Sequence, residues 1–248
     1  MIKPFLAALM FLTRIPAPNI QVSDTDWKKS AVYFPVVGLI IGTILAFAVL
    51  GFEKLFSPFV SAFLIVLLWI WITGGLHMDG WMDVADGFGS NKSREEMLAI
   101  MKDSRVGAMG VIAAICLIMG KWAAVYELLR LDLPMFLVIC PFYARFLLMG
   151  AIKCWPYRSE GGLGEGLHTY VTLPVVIVNL ILVAAATYAL TGLYGMLLLI
   201  IAAIASSLFA IKMYKTLHML TGDCYGALVE WSECVVLFLA LAIWRFAG

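Results

Sequence analysis

"PVVIVNLILVAAATYALTGLYGMLLLIIAAIASSLFAIK", residues 174–212, carries no charged side chain before Lys212. Divided at its Thr191-Gly192 pair, it gives two apolar runs, 174–192 and 193–212, each long enough to cross a hydrocarbon core of about 30 Å. Comparable runs recur at about 31–52, 57–76, 106–129, 133–153 and 224–246, separated by charged and Gly/Pro-rich breaks. A chain of 248 residues that is 63% hydrophobic and 13% charged, with mean hydropathy +0.99, cannot hide that much hydrocarbon in one soluble core. The pattern predicts an all-α polytopic integral membrane bundle of about seven transmembrane helices with short interfacial helices, a single domain over residues 1–248.

Between the runs there is no room for a soluble domain: the longest polar connections, 77–105 and 154–173, are 29 and 20 residues. No segment repeats at a fixed period. At the start, "MIKPFLAALMFLTRIPAPN" holds a short apolar run closed by Arg14, with Pro16 and Pro18 in place of a small-x-small cleavage site, and reads as an uncleaved helix lying at the membrane interface. The five cysteines lie in or beside apolar segments with no CxxC pairing, so they read as free thiols. A net charge of +1 supplies no basic field for nucleic acid.

Seven spans place the connections alternately on two sides. One side collects 12 Lys and Arg (Lys3, Arg14, Lys28, Lys29, Lys92, Arg94, Lys102, Arg105, Lys153, Arg158, Lys212, Lys215) and the other 3 (Lys54, Arg130, Arg245), while Lys121 and Arg145 fall within spans. This bias supports the span count and predicts an orientation with the amino terminus and the richer side in the cytoplasm, for a multi-pass protein expected in the cytoplasmic (inner) membrane. All three histidines and all but three of the 16 carboxylates share that side, so the polar chemistry faces the cytoplasm at one end of the bundle.

The densest polar chemistry is "HMDGWMDVADG" (77–87), where Asp79, Asp83 and Asp86 stand at i, i+4 and i+7 and so share one helical face within about 60°. Three adjacent carboxylates among apolar neighbours repel unless a cation neutralises them, and oxygen-only donors favour Mg²⁺ or Mn²⁺. A solvated acidic helix end is the alternative. One helix from near Ser57 to Asp86 would run about 45 Å and bring the aspartates out at the cytoplasmic interface. His77 would then point away from them unless Gly74-Gly75 kinks the helix.

Downstream, Ser93 and Glu96 form a capping box that opens a short amphipathic helix. It ends in "KDSR", where Lys102 and Arg105 offer a phosphate clamp or a headgroup anchor. "YRSEGGLGEGLHTY" (157–170) sets Arg158 among glycines that let backbone approach a phosphate. In "LTGDCYGALVEWSE" (220–233), Asp223 and Glu230 share a face at i, i+7, and Glu230 with Glu233 sits inside an apolar run. Such buried acids are functional or are paired with Lys or Arg of another helix.

"FLTRIP" (11–16), "FPVVGLIIG" (34–42), "GGLHMDGWMDVADG" (74–87), "KDSRVGAMGV" (102–111) and "TGDCYGALVEWSE" (221–233) together resemble, in order and along nearly the whole chain, the cobalamin synthase family of adenosylcobinamide-GDP ribazoletransferases. The resemblance implies a Mg²⁺-dependent membrane enzyme that joins adenosylcobinamide-GDP to α-ribazole or its 5′-phosphate, giving adenosylcobalamin or its 5′-phosphate and releasing GMP. It carries the metal role onto Asp79, Asp83 and Asp86, and phosphate or substrate binding onto Lys102, Arg105, Asp223 and Glu230. Arg158 follows from a glycine loop with one glycine more than the family's Arg-x-Glu-Gly-Leu-Gly. The attacking ribose 3′-hydroxyl needs a base, for which Asp103, Asp86 and His77 are the candidates.

Partners so implied are the two substrates and the lipid bilayer, with a homo-oligomer or association with other cobalamin-pathway enzymes left open. Two rival readings stand beside this one. Asp83-Val-Ala-Asp86-Gly87 matches the opening of the CDP-alcohol phosphotransferase signature, whose continuation is missing. A transporter relaying through Glu230 and Glu233 predicts internal repeats, which the sequence lacks.

Overall fold

A backbone in hydrocarbon finds no water for its N–H and C=O groups, so apolar runs of this length fold as helices. The computed structural model describes residues 2–18, 20–157, 162 and 164–247. Its helices are α1 (Ile2–Leu12), α2 (Asp24–Ser30), α3 (Phe34–Phe52), α4 (Pro58–Thr73), α5 (Leu76–Gly89), α6 (Arg94–Met101), α7 (Ala108–Arg130), α8 (Met135–Cys154), α9 (Leu173–Leu217) and α10 (Gly222–Ala247). Among the described residues, extended pairing is confined to one isolated bridge between Tyr157 and Leu220. The five cysteines are unpaired.

Five helices are long and apolar enough to cross a membrane, or six if α4 and α5 form one broken span. That count differs from the seven runs of the sequence because α9 enters it once. Gly192 nevertheless leaves helical geometry inside α9 (φ 63°, ψ −149°). A Cβ on Gly195 would lie 2.7 Å from Cγ2 of Thr187, whereas eight residues of unbroken helix span about 12 Å. The chain thus turns sharply at the glycine that separates 174–192 from 193–212.

The helix expected to run unbroken from Ser57 to Asp86 does not. Gly74 and Gly75 both take left-handed conformations (φ 64° and 70°), and α5 leaves α4 at 92°. Two successive positive-φ residues cannot continue a right-handed helix, and only glycine adopts them without a Cβ penalty. The bend is fixed from outside: Arg14 donates its backbone N–H to the Ile72 carbonyl (2.7 Å), and its side chain crosses Gly74 where a Cβ would stand. Instead of extending α4 outward, α5 turns aside and lies against α10 and α7.

Small residues set the closest helix contacts. On α3, a Cβ at Gly42 would meet the Leu137 and Val138 carbonyls of α8 at 2.6 Å, and Gly38 approaches Pro141 and Phe142 one turn away. In lipid, where no hydrophobic gain drives helices together, such close backbone approach supplies the dispersion contact that does. Between α5 and α10 the same device recurs. A Cβ on Gly80 would stand 2.6 Å from the Asp223 carbonyl oxygen, and one on Gly226 3.1 Å from that of His77. This contact brings the acids of α5 beside the first turn of α10.

Candidate active site

Asp79 is exposed and Asp83 and Asp223 are half-buried, and because Gly80 seats α5 on α10 these carboxylates lie within one another's electrostatic field. No Lys, Arg or His among the described residues forms an ion pair with any of the three. Thr221 caps α10, accepting the Cys224 N–H at 3.2 Å and donating to Asp223 at 3.4 Å.

Asp86 has a different setting. Its Oδ2 accepts the N–H of Gly107 (2.7 Å) and its Oδ1 that of Gly110 (2.8 Å). Gly107 is the N-cap of α7, so the carboxylate closes the positive end of that helix across 21 residues of chain. A Cβ on either glycine would collide with it. The link draws "KDSRVGAMG" against the acidic face, and each carboxylate oxygen keeps one lone pair. The signal in the sequence was the glycine pair at i, i+3 opening an apolar run, which the sequence reading passed over.

In the loop between α6 and α7, Lys102 is exposed and has no partner among the described residues. Arg105 makes a forked pair with Asp103, with Nε at 3.0 Å and Nη2 at 2.6 Å. The guanidinium holds the Asp103 carboxyl down to about 2, so Asp103 stays ionised and is a weak proton acceptor near neutral pH. The capping box of Ser93 and Glu96 forms as the sequence predicts.

Glu230 and the ring of His77 belong to a second, buried cluster. His77 is buried, its Nδ1 3.4 Å from Nη2 of Arg145. Arg145 is bonded to Glu233; Lys121 is bonded to Glu233 and to Glu230 and sits 4.7 Å from the centre of the Trp69 ring. The two cations that the sequence places within spans therefore pair with its two intramembrane glutamates, the pairing alternative of the sequence reading. Helices α4, α5, α7, α8 and α10 all contribute to this buried cluster. Arg158 lies outside the described residues.

Beside the aspartates opens a cavity of about 260 Å³, bounded by α1, α3, α5, α8 and α10 and by the turn at Leu167–Thr169. Among the described residues its acids are Asp79 and Asp223, and Phe11, Phe34, Leu148 and Tyr225 are among its apolar walls. Tyr225 is stacked on Tyr157 with centroids 5.6 Å apart, so the start of the glycine loop is held at the mouth of α10. Sequence spacing gave no sign of this cavity, because its walls come from six separate segments.

The donor chemistry of Asp79, Asp83 and Asp223 suits a hard divalent cation, since facing carboxylates with no cationic side chain among them are otherwise destabilised. Among the described residues no three such side chains converge closely enough to form a complete cage. Mg²⁺ seldom uses one: it is commonly held by one or two carboxylates, waters and substrate phosphates.

The sequence profile of the cobalamin-5-phosphate synthase family matches residues 4–241. An adenosylcobinamide-GDP ribazoletransferase of Brevibacillus brevis is 45% identical over 241 residues, covering 97% of this chain and 98% of that protein. Proteins of the same name from Desulfitobacterium hafniense and Desulforamulus reducens are 36% and 39% identical, covering 95% and 94% of each chain compared. No solved structure matches.

Proposed function

This chain belongs to the cobalamin-5-phosphate synthase family, and from that premise we propose that it transfers the adenosylcobinamide-phosphate group from adenosylcobinamide-GDP to the ribose 3′-hydroxyl of α-ribazole or its 5′-phosphate. A P–O bond forms to the ribose oxygen, the P–O bond to GMP breaks, and the hydroxyl proton passes to a base. The observation that carries this reading is the juxtaposition of Asp79 and Asp83 with Asp223 on two helices held together through Gly80, with Asp79 and Asp223 on the wall of a cavity.

Asp79, Asp83 and Asp223 would hold Mg²⁺, which when bound offsets charge on the pyrophosphate. Asp86 orients the end of α7 through the Gly107 and Gly110 amides and so fixes the loop that bears Lys102 and Arg105 beside the acidic face. Lys102, free of any carboxylate among the described residues, is the cation available to a phosphate, while Arg105 keeps N–H donors beyond those given to Asp103. Of the three candidate bases, Asp103 is committed to Arg105 and His77 to the neighbourhood of Arg145. Asp86, on the acidic helix face, accepts the Gly107 and Gly110 amide N–H groups and has one lone pair left on each oxygen for the hydroxyl proton.

The 12 to 3 distribution of basic residues supports an orientation with this end of the bundle in the cytoplasm, where water-soluble nucleotides are made. Neither rival of the sequence reading gains support: the profile match is to another family, and the intramembrane glutamates are paired. The test is GMP release by the purified protein in liposomes. Release that needs both substrates and Mg²⁺ and stops with EDTA is the expected result; release without α-ribazole, or none with every component present, overturns the assignment.

A further inference from the structure

We propose that the 260 Å³ cavity is the acceptor subsite, holding the aromatic base of the nucleoside while its ribose lies at the Asp79–Asp223 end. The inference rests on the transferase reading and adds which substrate the cavity takes. Three observations select the occupant. At about 260 Å³ the cavity is just under the roughly 300–1,000 Å³ of drug-sized ligand pockets, space for one aromatic base and far less than a corrin fills.

Its walls are chiefly hydrocarbon and aromatic: Phe11 and Phe34 enter from α1 and α3, and Leu148 and Ile152 from one face of α8. Removing such surface from water favours a planar apolar ring. Among the described residues, the ionised side chains on its wall are Asp79 and Asp223, at one end. Ribose hydroxyls donate hydrogen bonds to carboxylates, so the polar end of the nucleoside fits the acidic end of the cavity. The donor pyrophosphate then lies on the Lys102 side of the aspartates, and the acceptor hydroxyl meets it from the cavity side.

Leu148→Phe tests this by adding bulk to a wall that borders empty space, so the fold is expected to keep its thermal midpoint. The expected result is a rise of about tenfold or more in KM for α-ribazole with KM for adenosylcobinamide-GDP unchanged, and a matching loss in equilibrium binding of labelled α-ribazole without the donor. A second variant, Ile152→Val, enlarges the cavity slightly and is expected to change the α-ribazole KM alone. A rise in KM for adenosylcobinamide-GDP instead, or no change in either KM in a folded Leu148→Phe protein, overturns the assignment. Wild-type protein that neither binds nor consumes α-ribazole removes the transferase reading itself, and this inference with it.

Discussion

Lys121→Met removes the cation that two buried glutamates share. In the wild type, Lys121 and Arg145 balance Glu230 and Glu233, and all four side chains are at most 7% exposed. The variant leaves two carboxylates with one guanidinium, which is already bonded to Glu233, so Glu230 loses its ion-pair partner in an apolar interior. Breaking a buried pair by removing one partner costs about 3–5 kcal/mol, most of it the cost of the charge left behind. Removing that charge as well should recover most of the loss: Lys121→Met/Glu230→Gln restores formal neutrality and is expected within about 1–2 kcal/mol of wild type. The assay is reversible unfolding in mixed micelles, followed by near-ultraviolet circular dichroism, for the wild type, both single variants and the double variant. A single Lys121→Met loss below about 1 kcal/mol, or strictly additive singles, would refute the view that these groups form one coupled network.

Other outcomes follow from the same geometry. Asp86→Ala leaves the Gly107 and Gly110 amides without their acceptor, and is expected to destabilise by about 1–3 kcal/mol in the same unfolding assay, with Asp86→Asn losing less. Gly80→Leu forces α5 away from the Asp223 backbone and should abolish GMP release. Gly51→Leu, with open space around its Cβ position, should not. Because Asp103 is held near 2 from an ordinary 3.8, its ion pair contributes stability that is present above about pH 4 and lost as pH falls through 2. The difference in thermal midpoint between wild type and Asp103→Asn should therefore shrink between pH 5 and pH 2.5 (roughly the window that linkage sets), and the profile of GMP release around neutrality should keep its shape in the variant.

The membrane bundle was legible because hydrophobic run length is a local property, and even the break at Gly192 falls where the sequence divides its longest apolar run. The course of the α4–α5 segment was not. The sequence offered Gly74-Gly75 only as a kink that a role for His77 would require, and the 92° turn depends on two left-handed residues and on Arg14 reaching Gly74 from another segment. Helical periodicity put Asp79, Asp83 and Asp86 on one face and His77 on another, and His77 does face the Arg145 cluster. Periodicity within one helix is silent on what a neighbour supplies, and so it missed the amides that take up Asp86 and the proximity of Asp223 to Asp79. For the same reason Glu230 and Asp223, on one helix at i, i+7, go to different partners: Glu230 to Lys121, deep in the bundle, and Asp223 to the cavity wall at the start of α10.

The central claim is that the acids of α5 and the first turn of α10 make one reaction centre, and Asp223→Asn addresses it most directly. GMP release from adenosylcobinamide-GDP and α-ribazole is measured for wild type and variant in liposomes at saturating Mg²⁺, with the unfolding midpoint of each recorded alongside. The account predicts a fall of at least about a hundredfold in kcat with the midpoint unchanged. A folded Asp223→Asn protein that turns over at the wild-type rate would contradict it and return the chemistry to α5 alone.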